Sequence, residues 1–164
     1  GEKVSVKAIS DKAEAFEGRM EAFIMDFGGD ILWNETIGCR LQADESADLM
    51  SVDAALLDGN RLLYVRILKD GVTVSENTFY TRFPKEYEYG CPEISFEVQE
   101  CAEGLELTVS SDRLARGLYL FSDNADDFFE DNYMDLLPGF PRKITVRTGS
   151  TAEEFKTTLK YQTL

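Results

Sequence analysis

The chain has 164 residues, is 43% hydrophobic and carries a formal net charge of −14, and it contains no histidine. The negative charge argues against nucleic acid as a partner, and no apolar run approaches the length of a membrane span, so we expect no membrane partner. Without histidine, the chain cannot by itself use a Ser-His or Cys-His catalytic mechanism. Only catalysis by carboxylate, lysine or tyrosine side chains remains.

The three cysteines are Cys39, Cys91 and Cys101. An odd and sparse set is not a disulfide framework. The separation of Cys39 and Cys101 is similar to that of an immunoglobulin bridge, but Trp33 precedes the first cysteine instead of following it. We therefore expect three reduced thiols. Three cysteines without histidine also make a poor zinc site, so we expect no metal and no cofactor.

Alternation of apolar and polar residues predicts two hairpins in the first half of the chain, 20–27 with 31–41 and 62–68 with 72–83. Gly-Gly-Asp and Lys-Asp-Gly connect them, and both are turn sequences in which positive φ costs little. Between the hairpins we predict a strand around 48–52, followed by a turn or short helix.

The predicted register of the second hairpin places Leu63, Val65 and Ile67 across from Val72 and Val74.

Trp33 is the only tryptophan of the chain. On a sheet surface it could stack on a sugar ring. In the alternation it shares a face with Ile31, Ile37 and Leu41, so a core position is favoured.

The segment 83–93 is the predicted junction between two domains, because Pro84, Pro92 and a glycine suppress strand pairing there. We expect a first domain at 1–84 and a second at 85–164. Tyr87 and Tyr89 lie in this junction, where we expect them to be exposed and to contact a glycan or a neighbouring domain.

The second half also alternates, which predicts strands at 94–100, 104–111 and 143–149. The segment 152–161 could begin as a helix, but its alternation favours a final strand. About a dozen short strands with turns every 8–12 residues predict an all-β fold of two small immunoglobulin-like antiparallel β-sandwiches in tandem.

The acidic segment 123–135, DNADDFFEDNYMD, invites a functional interpretation. A regular calcium loop is excluded, because its third and sixth positions would be Ala125 and Phe128 instead of an oxygen ligand and glycine. An irregular calcium site and a glycosidase carboxylate pair stay as alternatives, although short hairpins offer little cleft for a sugar. We favour a loop in which Asp and Asn bond the backbone while Phe128, Phe129 and Tyr133 close the edge of the core.

The region 113–146 contains DRLARGLYLF and, after a short gap, FFEDNYMDLLPGFPRKITV. The runs Leu-Ala-Arg-Gly at 114–117, Asp-Asn-Tyr at 131–133 and Asp-Leu-Leu-Pro-Gly at 135–139 resemble the closing segment of the β-mannosidases of glycoside hydrolase family 2. Met134 stands where that family usually has phenylalanine.

The first half resembles the preceding sandwich of the same family, in VSVKAISDK, DFGGDILWNE and VSENTFYTRFPKEYEY. The resemblance covers nearly the whole chain. It implies a C-terminal fragment of a larger enzyme, whose barrel with two catalytic glutamates lies outside this sequence and is its intramolecular partner. It also implies no catalytic residue here, and a first sandwich that begins one strand late.

With this resemblance, the acidic segment is best interpreted as scaffold. Asp131, Asn132 and Asp135 would fix a structural loop by side-chain-to-backbone bonds, and Pro138 and Gly139 would turn the chain into the last hairpin.

The function that we expect is a structural accessory region, without activity of its own, of an enzyme that removes terminal β-linked mannose. We expect a periplasmic or extracellular location in a bacterium. The alternative is a carbohydrate-binding module that contacts β-mannoside glycans, with Tyr80, Tyr87, Tyr89, Tyr119 and Phe140 as the available aromatics. An adhesion-type sandwich with a protein partner is a third alternative.

Overall fold

The computed structural model describes all 164 residues. It contains thirteen strands, one α-helix and two short 3-10 helices, at Ala54–Leu57 and Pro84–Glu86, and no helix is long and apolar enough to cross a membrane. The strands and the helix are β1 (Lys3–Ile9), β2 (Phe16–Asp26), β3 (Ile31–Leu41), β4 (Ser46–Asp53), β5 (Arg61–Lys69), β6 (Val72–Phe79), β7 (Ile94–Cys101), β8 (Gly104–Ser111), β9 (Ala115–Phe121), β10 (Phe128–Phe129), β11 (Met134–Leu136), β12 (Arg142–Arg147), α1 (Ala152–Thr158) and β13 (Lys160–Gln162). The predicted all-β fold of tandem immunoglobulin-like sandwiches is confirmed.

The chain divides into two compact units, one of residues 1–26 and 30–88 and the other of residues 27–29 and 89–164. Independent folding of each unit is a separate property from this grouping by spatial contacts. The domain bounds inferred from the sequence, 1–84 and 85–164, therefore stay a prediction.

The first unit is a sandwich of two antiparallel sheets, one with the strand order β3-β2-β5-β6 and the other formed by β1 and β4. Strand β2 contributes to its core on one face: Met20, Ala22 and Ile24 are buried, and the residues between them are not. This period of two is what the sequence pattern predicted, because successive side chains of a strand point to opposite faces.

The second unit is also a sandwich, with one sheet of order β10-β12-β8-β7 and another of order β11-β9-β13. Leu105, Leu107 and Val109 of β8 are buried against Leu118 and Leu120 of β9. The strands predicted at 94–100, 104–111 and 143–149 are confirmed.

The two predicted hairpins of the first unit are confirmed, but the register of the second differs. A bulge between Ile67 and Leu68 shifts the pairing, so Val72 lies opposite Lys69 and Leu63 lies opposite Phe79. Val72 and Val74 are exposed. The predicted register, with Leu63, Val65 and Ile67 opposite Val72 and Val74, is therefore wrong. A bulge adds one residue to one strand and moves its side chains to other partners.

The final strand predicted at 152–161 is wrong for most of its length, since the helix α1 occupies Ala152–Thr158. Thr151 and Glu154 form a capping box, and Phe155 is fully buried. The capping box satisfies backbone N–H groups that the first turn leaves unpaired, and this local signal overrides the alternation. Only Lys160–Gln162 is a strand, β13, which pairs with β9.

Trp33 is half-buried and packs against the core of the first unit, as predicted. Leu41 of the same face is buried, whereas Ile31 at the start of β3 is 48% exposed. The apolar face of β3 thus contacts the core from Trp33 onward, and its first residue does not.

The three cysteines are free, as predicted. Cys39 is buried, and burial raises the pKa of its thiol, because the interior disfavours the charged form. Cys91 and Cys101 are exposed.

Candidate functional site

Asn132 joins the acidic loop to strand β9. Its side-chain oxygen accepts a hydrogen bond from the backbone N–H of Leu120 at 2.7 Å, and its amide nitrogen donates to the Leu120 carbonyl at 2.7 Å. The same oxygen accepts from the Tyr133 N–H at 3.2 Å. One side chain thereby satisfies both backbone groups of a strand residue, as a neighbouring strand would.

Two carboxylates of the loop also bond backbone groups. Asp135 accepts from the Gly117 N–H at 2.9 Å, and Asp131 accepts from the Asn132 N–H at 2.9 Å. These contacts are of the kind that the sequence predicted for a structural loop, and their contribution to stability stays a prediction.

Pro138 and Gly139 form a tight turn after the loop. The Phe140 N–H donates to the Leu137 carbonyl at 3.1 Å, and Gly139 has a φ of 80°. Proline followed by a residue with positive φ is the pattern of a type II turn. The Pro138 ring also lies against Gly29, a residue of the same unit, where an added Cβ would be 2.7 Å from the Pro138 Cγ.

Two further acids of the segment, Asp127 and Glu130, contact nearby side chains. Asp127 accepts from the Ser122 hydroxyl at 2.7 Å and from the Asn124 side chain at 2.9 Å, and Glu130 forms an ion pair with Arg147 at 3.3 Å. No group of three or more His, Cys, Asp or Glu side chains could hold a metal ion. The carboxylates thus act as hydrogen-bond acceptors within the loop.

The predicted packing of the loop aromatics is correct for one residue and wrong for two. The ring of Phe129 packs on Phe155 of the core, with centroids 5.9 Å apart. Phe128 is 57% exposed and Tyr133 is 71% exposed. Tyr133 has a φ of 57°, which turns its side chain out of the alternation that the sequence pattern assumed.

The outer face of the sheet β11-β9-β13 carries a row of stacked rings, Phe121, Tyr119 and Tyr133, here called the aromatic row. The centroids of Tyr119 and Tyr133 are 4.7 Å apart at an interplanar angle of 16°, and those of Tyr119 and Phe121 are 5.5 Å apart at 17°. Of these three rings, only Tyr119 was among the aromatics that the sequence suggested for glycan contact. The signal for Phe121 was present in Leu-Tyr-Leu-Phe, where alternation places both rings opposite the buried leucines.

Tyr87 was predicted to be exposed, and this is wrong, because it is only 6% exposed. Its hydroxyl accepts a hydrogen bond from the Arg82 N–H at 3.0 Å, and its ring meets Tyr80 edge-on with centroids 5.9 Å apart. Both rings are thus used in packing within the first unit.

Tyr89 is half-buried within the second unit. Its ring stacks on Phe27 with centroids 5.4 Å apart, and its hydroxyl accepts a hydrogen bond from Arg116 at 2.6 Å. Phe140 is half-buried as well. Of the five aromatics proposed for glycan contact, Tyr119 alone belongs to a row of stacked rings with a strongly exposed member.

The sheet topology defines the class of this chain as a pair of immunoglobulin-like β-sandwich domains. Residues 2–86 match the family model described as the mannosidase Ig/CBM-like domain, and residues 91–164 match the Ig_mannosidase model, described as an Ig-fold domain. The first match spans over half of the chain, and the chain belongs to the mannosidase Ig/CBM-like domain family. The resemblance to the C-terminal region of family 2 β-mannosidases is confirmed.

Solved structures of glycosidases share this fold. The β-D-mannosidase of Dictyoglomus thermophilum superposes with a TM-score of 0.88 and 22% identity over 98% of this chain, which spans 20% of that protein. The exo-chitosanase CsxA of Amycolatopsis orientalis superposes with a TM-score of 0.63 and 16% identity over 97% of this chain, which spans 24% of that protein. No curated protein matches the chain. At these identities the structural likeness concerns the fold.

Proposed function

We propose that the chain is a non-catalytic accessory region of a β-mannosidase of glycoside hydrolase family 2. The observation that carries this proposal is that both halves of the chain match domains named for mannosidases. The mannosidase Ig/CBM-like domain comes first and the Ig_mannosidase domain follows it. The similarity of the fold to a β-D-mannosidase over 98% of the chain supports it.

The parent enzyme would hydrolyse terminal β-D-mannose residues of β-mannosides with retention of configuration. That reaction uses two carboxylates, one as nucleophile and one as acid and base, and we place both in a barrel outside this sequence. The accessory region would pack on that barrel and support it. This role agrees with a loop whose carboxylates are engaged by backbone and side-chain donors.

The test compares the full-length protein with a version that lacks these 164 residues. We expect the full-length protein to release 4-nitrophenol from 4-nitrophenyl β-D-mannoside, and to prefer it over the β-D-glucosaminide. The shortened version should melt at a lower temperature, because the barrel surface that this region covers would be exposed to water. A full-length protein without β-mannosidase activity would contradict the proposal.

A further inference from the structure

We propose that the aromatic row of the second unit binds a neutral oligosaccharide, with one pyranose ring stacked on Tyr133. This proposal requires nothing of the parent enzyme. Its parts are the stacked rings of Phe121, Tyr119 and Tyr133 and the amide of Gln162, all on one face of the sheet β11-β9-β13.

The register of the sheet brings these side chains together. Gln162 of β13 pairs directly with Tyr119 of β9, and Met134 of β11 pairs with Leu118, which places Tyr133 beside Tyr119. Side chains opposite each other in an antiparallel pair lie on the same face. The result is a line of Tyr133, Tyr119 and Gln162 across three segments of the sheet.

The rings offer the flat apolar surface that a sugar ring requires. One face of Tyr133 stacks on Tyr119, and its residue is 71% exposed, so the opposite ring face is open to a ligand. The axial C–H groups of a pyranose form an apolar face of similar size. Aromatic faces bind such flat partners through dispersion and burial of apolar area.

Polar groups for sugar hydroxyls stand at the edge of the same surface. The hydroxyls of Tyr119 and Tyr133 and the amide of Gln162 make no hydrogen bond within the chain. A tyrosine hydroxyl and a glutamine amide each donate and accept, as sugar hydroxyls do. Apolar surface bordered by a few polar groups is the usual composition of a small-molecule site.

The backbone of Tyr133 gives an independent reason to assign a role to its side chain. At a φ of 57° glycine or asparagine would be the favoured residue, and a bulky side chain is uncommon there. Strained residues persist where the surroundings hold them, and they cluster at ligand sites. Asn132 holds this one, through its bonds to Leu120 and to the Tyr133 N–H.

The charges around the row favour a neutral ligand. Lys160, which pairs with Phe121 across the strands, is neutralised by an ion pair with Asp123. The chain as a whole carries a net charge of −14, which repels anionic polymers. Neutral hexose chains meet no such repulsion.

The experiment follows backbone amide signals of the ¹⁵N-labelled chain while β-1,4-mannotetraose or cellotetraose is added up to about 10 mM. We expect saturable shifts for residues 119–121, 133 and 162 with at least one of the two. An oligogalacturonate of equal length serves as the anionic probe and should produce none of these shifts.

Tyr133→Asn is the decisive variant, because asparagine adopts positive φ readily and the fold is retained. We expect it to weaken binding about tenfold, which corresponds to the loss of one stacked ring. Tyr119→Ala should weaken binding to a similar degree and Gln162→Ala to a lesser one. Phe83→Ala is the matched control, since Phe83 is 73% exposed but stacks on no ring, and it should bind as the parent chain does.

Two results would overturn the proposal. One is the absence of saturable shifts at these residues with either neutral tetrasaccharide. The other is binding that Tyr133→Asn leaves unchanged, because a ligand that does not need this ring sits elsewhere. Neither result would affect the accessory role, which is tested by the activity of the full-length protein.

Discussion

We expect Asn132 to be the main scaffold residue of the acidic segment. Its side chain pairs with both backbone groups of Leu120, and its loss would leave an N–H and a carbonyl of β9 without partners in a partly buried place. We expect Asn132→Ala to lower the free energy of unfolding by about 2 kcal/mol, because each bond contributes about 1 kcal/mol net.

Asp135→Ala should cost less, about 1 kcal/mol, since Asp135 accepts one backbone bond from Gly117. Urea denaturation measures both changes. Asn34→Ala is the control, because Asn34 is exposed and its side chain makes no hydrogen bond, and it should alter stability by less than about 0.5 kcal/mol. Equal stabilities for Asn132→Ala and Asn34→Ala would refute the scaffold role of Asn132.

The helix α1 is an element whose stability depends on one carboxylate. Glu154 accepts hydrogen bonds from the backbone N–H and the hydroxyl of Thr151, and these bonds lower the pKa of its carboxyl from the usual value of 4.5. A group with a lowered folded-state pKa stabilises the fold above its unfolded pKa, and this contribution is lost as the pH falls through the folded value.

We therefore expect Glu154→Gln to melt at a lower temperature than the parent chain at neutral pH. The difference should shrink as the pH falls below the usual carboxyl pKa of 4.5 and through the lowered pKa of the folded chain, where the parent carboxylate also becomes protonated. Thermal melts at a series of pH values measure it. Glu103→Gln serves as the control, because Glu103 makes no hydrogen bond or ion pair. A difference that does not change with pH would contradict the capping role.

The turn between β7 and β8 depends on Gly104, whose φ is 132°. An added Cβ would lie 2.4 Å from the carbonyl oxygen of Val146. We expect Gly104→Ala to lower the free energy of unfolding by about 3 kcal/mol, through backbone strain and displacement of β12. Gly38→Ala is the matched control, because Gly38 has open space around it and no positive φ, and should be nearly neutral. Similar losses in both variants would contradict this account.

The elements that follow from alternation and turn residues could be predicted from the sequence, and those set by tertiary or local exceptions could not. Strands β2, β8 and β12 have a period of two and one buried face, so their pattern is sufficient. The bulge in the pairing of β5 with β6, which leaves Val74 without a partner residue, has no mark in the sequence. Helix α1 replaced an expected strand because its capping box outweighs the alternation.

The candidate site, like the fold, has parts that the sequence predicts and parts that it does not. The bonds of Asn132 and Asp135 are of the kind expected of Asx residues in a loop, and the Pro138–Gly139 turn has its usual sequence. The aromatic row was largely missed. Its strongest member, Tyr133, points outward only because its backbone adopts a positive φ, which no pattern for a tyrosine predicts.

At the scale of the whole molecule, two sandwiches match domains named for mannosidases, and the chain spans about a fifth of the β-D-mannosidase that shares its fold. In this fold the acidic loop is hydrogen-bonded to strand β9, and the three cysteines are free thiols. We propose that this chain supports a glycosidase and performs no hydrolysis itself.

The most direct test of this claim measures the release of 4-nitrophenol from 4-nitrophenyl β-D-mannoside by the purified chain. The account predicts a rate equal to that of buffer at every protein concentration. A rate that rises in proportion to the amount of chain, and that co-purifies with it, would contradict the account.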